Sequence, residues 1–240
     1  TLTCIYFGVA MFSEQKTAAE FDIWAVNGRA ESMASGHQYA TLALLKELGD
    51  TSPKKALDVG CGNGWLVQEL VHQGAGLGCG VDISAEMIAR AQSLCEDSRC
   101  TFTVASAEEL PFEDGQFNLV CSVESLYYYG NPKQALSEWH RVTAVGGRLA
   151  IMIDLYSESV GTHSWVDALP IPVHLRTIRE WCQLISEAGW SLDRCWRELD
   201  LRPLPNPETF EPSSYWPHFD LLLAYRSAGS LCLTATKNSP

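Results

Sequence analysis

Asp58, Gly60, Gly62 and Gly64 stand at alternate positions in the stretch Ala56-Leu57-Asp58-Val59-Gly60-Cys61-Gly62-Asn63-Gly64. An apolar run ends in an acid, and three glycines follow before the amphipathic segment that begins at Trp65. A strand, a glycine turn and a helix N-terminus bring backbone very close to a ligand. A dinucleotide fingerprint is spaced G-x-G-x-x-G and aims its helix at a pyrophosphate. Here the spacing is G-x-G-x-G with a carboxylate in front. An anion-binding loop has little use for that carboxylate, whereas a ligand carrying an ammonium or a sulfonium is favoured by it. A second acid, Asp82, lies 24 positions on at the end of the next apolar run and is able to accept both hydroxyls of a ribose.

The elements that must position these residues alternate along the chain. Strands are expected over 56–59, 77–81, 101–104, 117–122, 148–153, 190–198 and 230–236, and helices over 65–72, 84–95, 132–143 and 177–189. Ser84, Asn131-Pro132 and Thr177-x-x-Glu180 supply helix N-terminal signals. Alternation of this kind implies parallel pairing with right-handed crossovers. No clear helix signal separates the last two strands, so they are expected to pair antiparallel. Residues 14–48 read as helical, with a polar break at 27–32. The expected fold class is therefore α/β, with a doubly wound, Rossmann-like sheet of seven mostly parallel strands, an antiparallel last strand and an N-terminal helical cap. Residues 13–52 form that cap and 53–240 the main domain. Residues 154–176 and 201–219 interrupt the alternation with prolines and aromatics and are expected to act as lids over a binding site. Residues 1–12 are apolar but lack a basic leader, and Met11 resembles a natural start. They are expected to be a non-native or disordered extension.

In an open α/β sheet the ligand lies beyond the carboxyl ends of the strands. Four successive strand ends carry polar or small residues: Asp58 with the glycine turn, Asp82, Ser106-Ala107-Glu108, and Ser122-Val123-Glu124-Ser125. At these residues the chain resembles the class I S-adenosylmethionine-dependent methyltransferases, near the small-molecule branch called type 11. The matching blocks are LDVGCGNG (57–64), GVDIS (80–84), SAEELPFEDGQFNLV (106–120) and HRVTAVGGRL (140–149). The resemblance implies S-adenosylmethionine as cofactor. Gly60, Cys61, Gly62 and Gly64 would pass under its methionine part, with Asp58 serving the amino group through water or the turn. Asp82 would hold the ribose and Ile83 would pack on the adenine. Ala107 would reach the adenine through its backbone N–H. The family often has an acid where Ser106 stands, so that contact would be weaker, water-mediated or taken by Glu108. Ser122 would line the sulfonium side.

Methyl transfer is an in-line displacement with a good leaving group, so positioning and desolvation dominate, and no fixed catalytic residue is readable. Glu124, Tyr128 and His37 are the candidates. Tyr127, Tyr128 and Tyr129 follow the fourth strand, where aromatic faces are able to cradle a cation. Trp24, Arg29 and His37 belong to the cap, which covers the cofactor in such enzymes.

The net charge of −12 disfavours a phosphate-backbone partner. A small-molecule acceptor is expected, without nucleic acid or membrane, acting on a monomer or homodimer. Nine cysteines without a Cys-x-x-Cys pair fit a reduced, cytoplasmic protein. No Cys/His spacing suits zinc, and no metal is expected. The alternatives left open are methylation of protein or RNA and non-catalytic binding of a nucleotide cofactor.

Overall fold

The computed structural model describes residues 12–49 and 54–239. The expectations for residues 1–11 and for the boundary at Pro53 fall outside them. The cap consists of α1 (Glu14–Val26) and α2 (Arg29–Glu47), broken at Gly28, whose φ of 81° suits glycine. Then follow β1 (Lys55–Val59), α3 (Trp65–His72), β2 (Leu77–Asp82), α4 (Ala85–Leu94), β3 (Cys100–Val104) and β4 (Phe117–Val123). The chain continues through α5 (Pro132–Val142), β5 (Thr143–Ile153), α6 (His163–Ala168), α7 (Ile178–Glu187), β6 (Ser191–Glu198), α8 (Phe219–Ala228) and β7 (Ser230–Thr236).

The sheet order is β3-β2-β1-β4-β5-β7-β6. All neighbours are parallel except β7, which runs antiparallel to both β5 and β6. Strand residues alternate between two cores, as period-two geometry requires. Leu57, Val59, Val120, Leu149 and Ile151 face α5 and α7 through Leu136, Trp139, Trp181 and Ile185. Ala56, Leu119, Cys121, Ala150 and Met152 face α2 and α3 through Leu44, Leu45, Leu66 and Leu70. The second half of the cap is thus a structural layer of the sheet.

Three features differ from the sequence reading. Strand β5 starts at Thr143 rather than 148: Thr143 already pairs with Phe117, and regular pairing resumes at Arg148 opposite Leu119 after an irregularity that holds Gly146 at φ 76°. Helix α8 separates the last two strands. Its sequence, FDLLLAYRSA, is weakly amphipathic, and the helix is held by tertiary contacts with residues 160–162. The segment 154–176 contains a helix, α6, rather than irregular chain alone.

Candidate active site

Sheet order reverses between β1 and β4, which opens a crevice at their carboxyl ends. A cavity of about 320 Å³ lies there, floored by the ends of β1, β2 and β4 and roofed by α1 and α2. Gly60 and Cys61 both donate N–H to the Val81 carbonyl, at 2.8 and 3.0 Å. The turn therefore folds over the end of β2 and places Asp58 and Asp82 on one wall.

The three glycines do different work, although all have φ between 51° and 79°. A Cβ on Gly60 would lie 2.4 Å from the Ser125 Cβ, and one on Gly64 2.6 Å from the Phe102 ring. Gly62 has nothing within 4 Å of that position and lines the cavity. Two glycines are required by packing, and one leaves room at the cavity wall.

Asp82 is committed locally. Its Oδ2 accepts from Gly62 N and its Oδ1 from Ser84 N, both at 2.9 Å, so it braces the turn while one lone pair on each oxygen remains for a ligand. Burial raises its pKa, against those two backbone bonds. Asp58 is different: its buried Oδ1 has no hydrogen-bond partner. Burial, and then the Asp82 carboxylate, push it up to about 8. An orphaned buried carboxylate oxygen on a cavity wall calls for a cationic or hydrogen-bond-donating ligand.

Cys61, Ile83, Ala107 and Glu108 also line the cavity. Trp139 Nε1 donates to the Ala107 carbonyl at 3.2 Å and pins that segment. Glu108 is held in turn, its Oε1 accepting from Asn131 N at 2.8 Å. Gly64, Ser106 and Ser122 are not on the wall. Gly64 begins α3 against Ala91 and Phe102. The Ser106 hydroxyl is bonded to Glu14. Ser122 turns inward and shares a 2.6 Å bond with Ser125, whose hydroxyl donates to Val59 O.

Glu124 and Tyr128, four residues apart, and the distant His37 all reach the cavity. Glu124 has φ 55°, the positive value found at no other non-glycine among the described residues. Such a conformation costs about 1–3 kcal/mol and persists where the surroundings impose it. It turns the carboxylate toward the end of β5, where Oε1 accepts from Asp154 N. Oε2 accepts from the Tyr127 hydroxyl at 2.7 Å. Asp154, fully buried, bonds His37 Nδ1 at 3.1 Å and accepts from the Tyr225 hydroxyl at 2.7 Å. Burial and the Asp154 charge push Glu124 up to about 8. Burial pulls His37 down, but Glu124 and Asp154 outweigh it and hold the imidazole at about 9. Asp154 is lowered against its burial by the bond and charge of His37.

Asp154 is the member of this buried cluster that the sequence reading missed. The signal was available, since it is the acid that follows β5 just as Asp58 and Asp82 close β1 and β2. Tyr127 lies off the wall, so three tyrosines do not form a cage; Tyr128 and Tyr129 face the cavity. Arg29 does not reach it either. Its guanidinium stacks on Trp24 (3.6 Å) and Tyr215 (4.5 Å), tying the cap to the segment 201–219. That segment and 154–176 contribute no residue to the cavity wall. They pack on each other, with Trp165 5.2 Å from Trp216 and Ser164 bonded to Tyr215 O at 2.7 Å.

The sheet order, the alternate-glycine turn and the two strand-end acids are those of the class I S-adenosylmethionine-dependent methyltransferase fold. Residues 57–151 match the sequence family described as a methyltransferase domain. The chain is 31% identical over 170 residues to the tocopherol O-methyltransferase of Arabidopsis thaliana, covering 60% of this chain and 48% of that protein. It is 30% identical over 140 residues to the 27-O-demethylrifamycin SV methyltransferase of Amycolatopsis mediterranei, covering 54% and 52%. The chain spans about half the length of the curated relatives it matches. One solved structure, the complex between the Haloferax volcanii Trm112 methyltransferase activator and a methyltransferase, superposes with a TM-score of 0.85 at 27% identity, covering 92% of this chain and 98% of that one. Residues 57–151 thus carry a methyltransferase domain, and the fold is the one seen in class I S-adenosylmethionine-dependent methyltransferases. No helix among the described residues is long and apolar enough to cross a membrane.

Proposed function

We propose that this protein transfers the methyl group of S-adenosylmethionine to a small-molecule acceptor. The observation that carries the cofactor assignment is the unpartnered Asp58 Oδ1 beside the open face of Gly62. Asp58 would take the ammonium of the methionine part, Asp82 the ribose hydroxyls, Ile83 the adenine face, and Ala107 N–H with Glu108 the adenine edge. Gly60 and Cys61 would shape the turn beneath. When bound, the cofactor supplies a methyl on a sulfonium. The chain's residues hold it, exclude water and orient the acceptor.

Enclosure supports a small acceptor. The roof of Phe21, Trp24, Met33 and Tyr128 leaves one compact cavity, with aromatic rings packed edge to face over it. The tocopherol and rifamycin relatives support the same reading. The similarity to the Haloferax chain favours a second reading, in which the enzyme works with an activator protein; a methyl-transfer assay with and without added Trm112 separates the two.

Calorimetric titration with S-adenosylhomocysteine and NAD in parallel tests the cofactor. Binding of the first alone is expected, and binding of NAD alone overturns the assignment. Incubation of methyl-labelled S-adenosylmethionine with separate small-molecule, RNA and protein fractions of a cell lysate tests the acceptor class. Label is expected in the first fraction; label confined to RNA or protein overturns it.

A further inference from the structure

We propose that His37 is the general base of the reaction, oriented by Asp154, and that the acceptor atom therefore bears a proton, as a hydroxyl or an amine. This rests on the reading of the protein as an S-adenosylmethionine-dependent methyltransferase.

The geometry is that of a positioned base. Nδ1 is engaged by Asp154 at 3.1 Å, and Nε2 has no hydrogen-bond partner among the described residues. His37 lines the cavity and keeps 14% of its side chain exposed, while Asp154 behind it is sealed at 0%. A buried carboxylate on one imidazole nitrogen fixes the ring and its tautomer, leaving the other nitrogen as the acceptor. Asp154 is itself held by the Tyr225 hydroxyl and by Glu124, which takes its backbone N–H. Asp154 and Tyr225 are positioning residues; only His37 and Glu124 face the cavity.

The step balances as follows. His37 Nε2 takes the proton of the acceptor O–H or N–H. The acceptor lone pair bonds to the methyl carbon, the carbon–sulfur bond breaks, and its electron pair stays on sulfur as a neutral thioether. The imidazolium is stabilised by Asp154 and then returns its proton to solvent. Thiolates and carboxylates need no such base. Glu14, Asp82 and Glu108 on the cavity wall also disfavour a carboxylate acceptor.

His37 is also protected from misfiring. Glu124 and Asp154 raise the His37 pKa above the ordinary imidazole range. A cationic sulfonium in the cavity acts in the opposite direction, so cofactor binding primes the base. The charged or titratable groups around it are Asp154 after β5, Glu124 after β4, Tyr127 beyond it, Tyr225 on α8 and Arg202 after β6.

The same three side chains, His37, Glu124 and Asp154, converge closely enough to suggest a cation site. Within the protein Asp154 engages His37 Nδ1 and both Glu124 oxygens accept hydrogen bonds, the arrangement of an oriented imidazole.

The test is a histidine carbon NMR titration of the wild-type protein, with His37→Gln to assign the resonance. The free protein and its S-adenosylhomocysteine complex should show His37 titrating well above the ordinary imidazole range. Sinefungin, whose extra amine places a positive charge near the sulfonium position, should lower it by about one pH unit or more. Asp154→Asn should lower it without any ligand. Binding of both ligands with an unmoved His37 overturns the base assignment alone; failure of both to bind overturns the cofactor reading with it. Selective broadening of the His37 resonance by micromolar Mn²⁺ overturns it in favour of a metal site. In the labelling experiment, methyl label stable to alkali is expected, and label released as methanol, the mark of a carboxylate acceptor, overturns the acceptor class.

Discussion

Replacing Gly62 by alanine separates what the glycine turn does for the fold from what it does for the ligand. All three turn glycines sit at positive φ, so alanine at any of them carries the left-handed penalty of about 1–2 kcal/mol. At Gly62 that is the whole cost, because the added Cβ meets nothing within 4 Å. At Gly64 the Cβ lies 2.6 Å from Phe102 and 2.8 Å from Ala91, which adds an overpacking cost of about 1–3 kcal/mol. With a melting shift of about 2–4 °C per kcal/mol for a chain of this size, Gly62→Ala should lower Tm by about 2–8 °C and Gly64→Ala by about 4–20 °C. Affinity should follow a different order. Gly62→Ala places its methyl group at the cavity wall and should weaken S-adenosylhomocysteine binding at least tenfold. Gly64→Ala, off the wall, should weaken binding less for every degree of melting temperature lost. Scanning fluorimetry and calorimetry on the two variants read both quantities. A Gly62→Ala protein that binds as tightly as wild type would refute the reasoning, as would one that melts below Gly64→Ala.

Other outcomes follow from the same geometry. Asp58 is held near 8 by burial and the Asp82 carboxylate, so its protonated form favours the fold and this contribution declines as pH rises from about 4 through 8. A ligand ammonium favours the ionised form, so S-adenosylhomocysteine affinity should rise with pH up to about 8 with proton release, and Asp58→Asn should flatten that dependence; calorimetry in buffers of different ionisation enthalpy checks it. Asp82→Ala should cost about 1–3 kcal/mol in cofactor affinity and also loosen the turn, visible as faster amide exchange at Gly62 and Ser84. Trp139→Phe should keep the core yet free the Ala107 carbonyl, lowering stability by about 1–3 kcal/mol and weakening binding through the adenine-side segment; an unchanged affinity would show that the segment holds itself. If 154–176 and 201–219 act as lids, Tyr215→Ala, which removes one face of the Arg29 sandwich, should raise hydrogen exchange in both segments and in α1; exchange confined to residue 215 and its neighbours would remove the lid idea.

The sequence by itself determined the strand–helix alternation, the glycine turn and the strand-end acids, because these rest on local rules. Period-two and period-3.6 patterns place apolar faces, and Ser84, Asn131 and Thr177 cap the helices that follow them. Asp58 and Asp82 were legible for the same reason, since a strand end names its own position in a parallel sheet. Sequence spacing did not decide which side chains look into the crevice. Ser106 and Ser122 occupy plausible positions yet turn to Glu14 and Ser125, because a short hydroxyl takes the nearest partner that tertiary packing offers. Helix α8 was hidden because its own amphipathicity is weak and its stability comes from packing. The His37–Asp154 pair joins residues 117 positions apart. Only the docking of α2 against the end of β5, together with the positive φ of Glu124, brings an imidazole and two carboxylates into one buried cluster, where low dielectric lets each set the charge of the others.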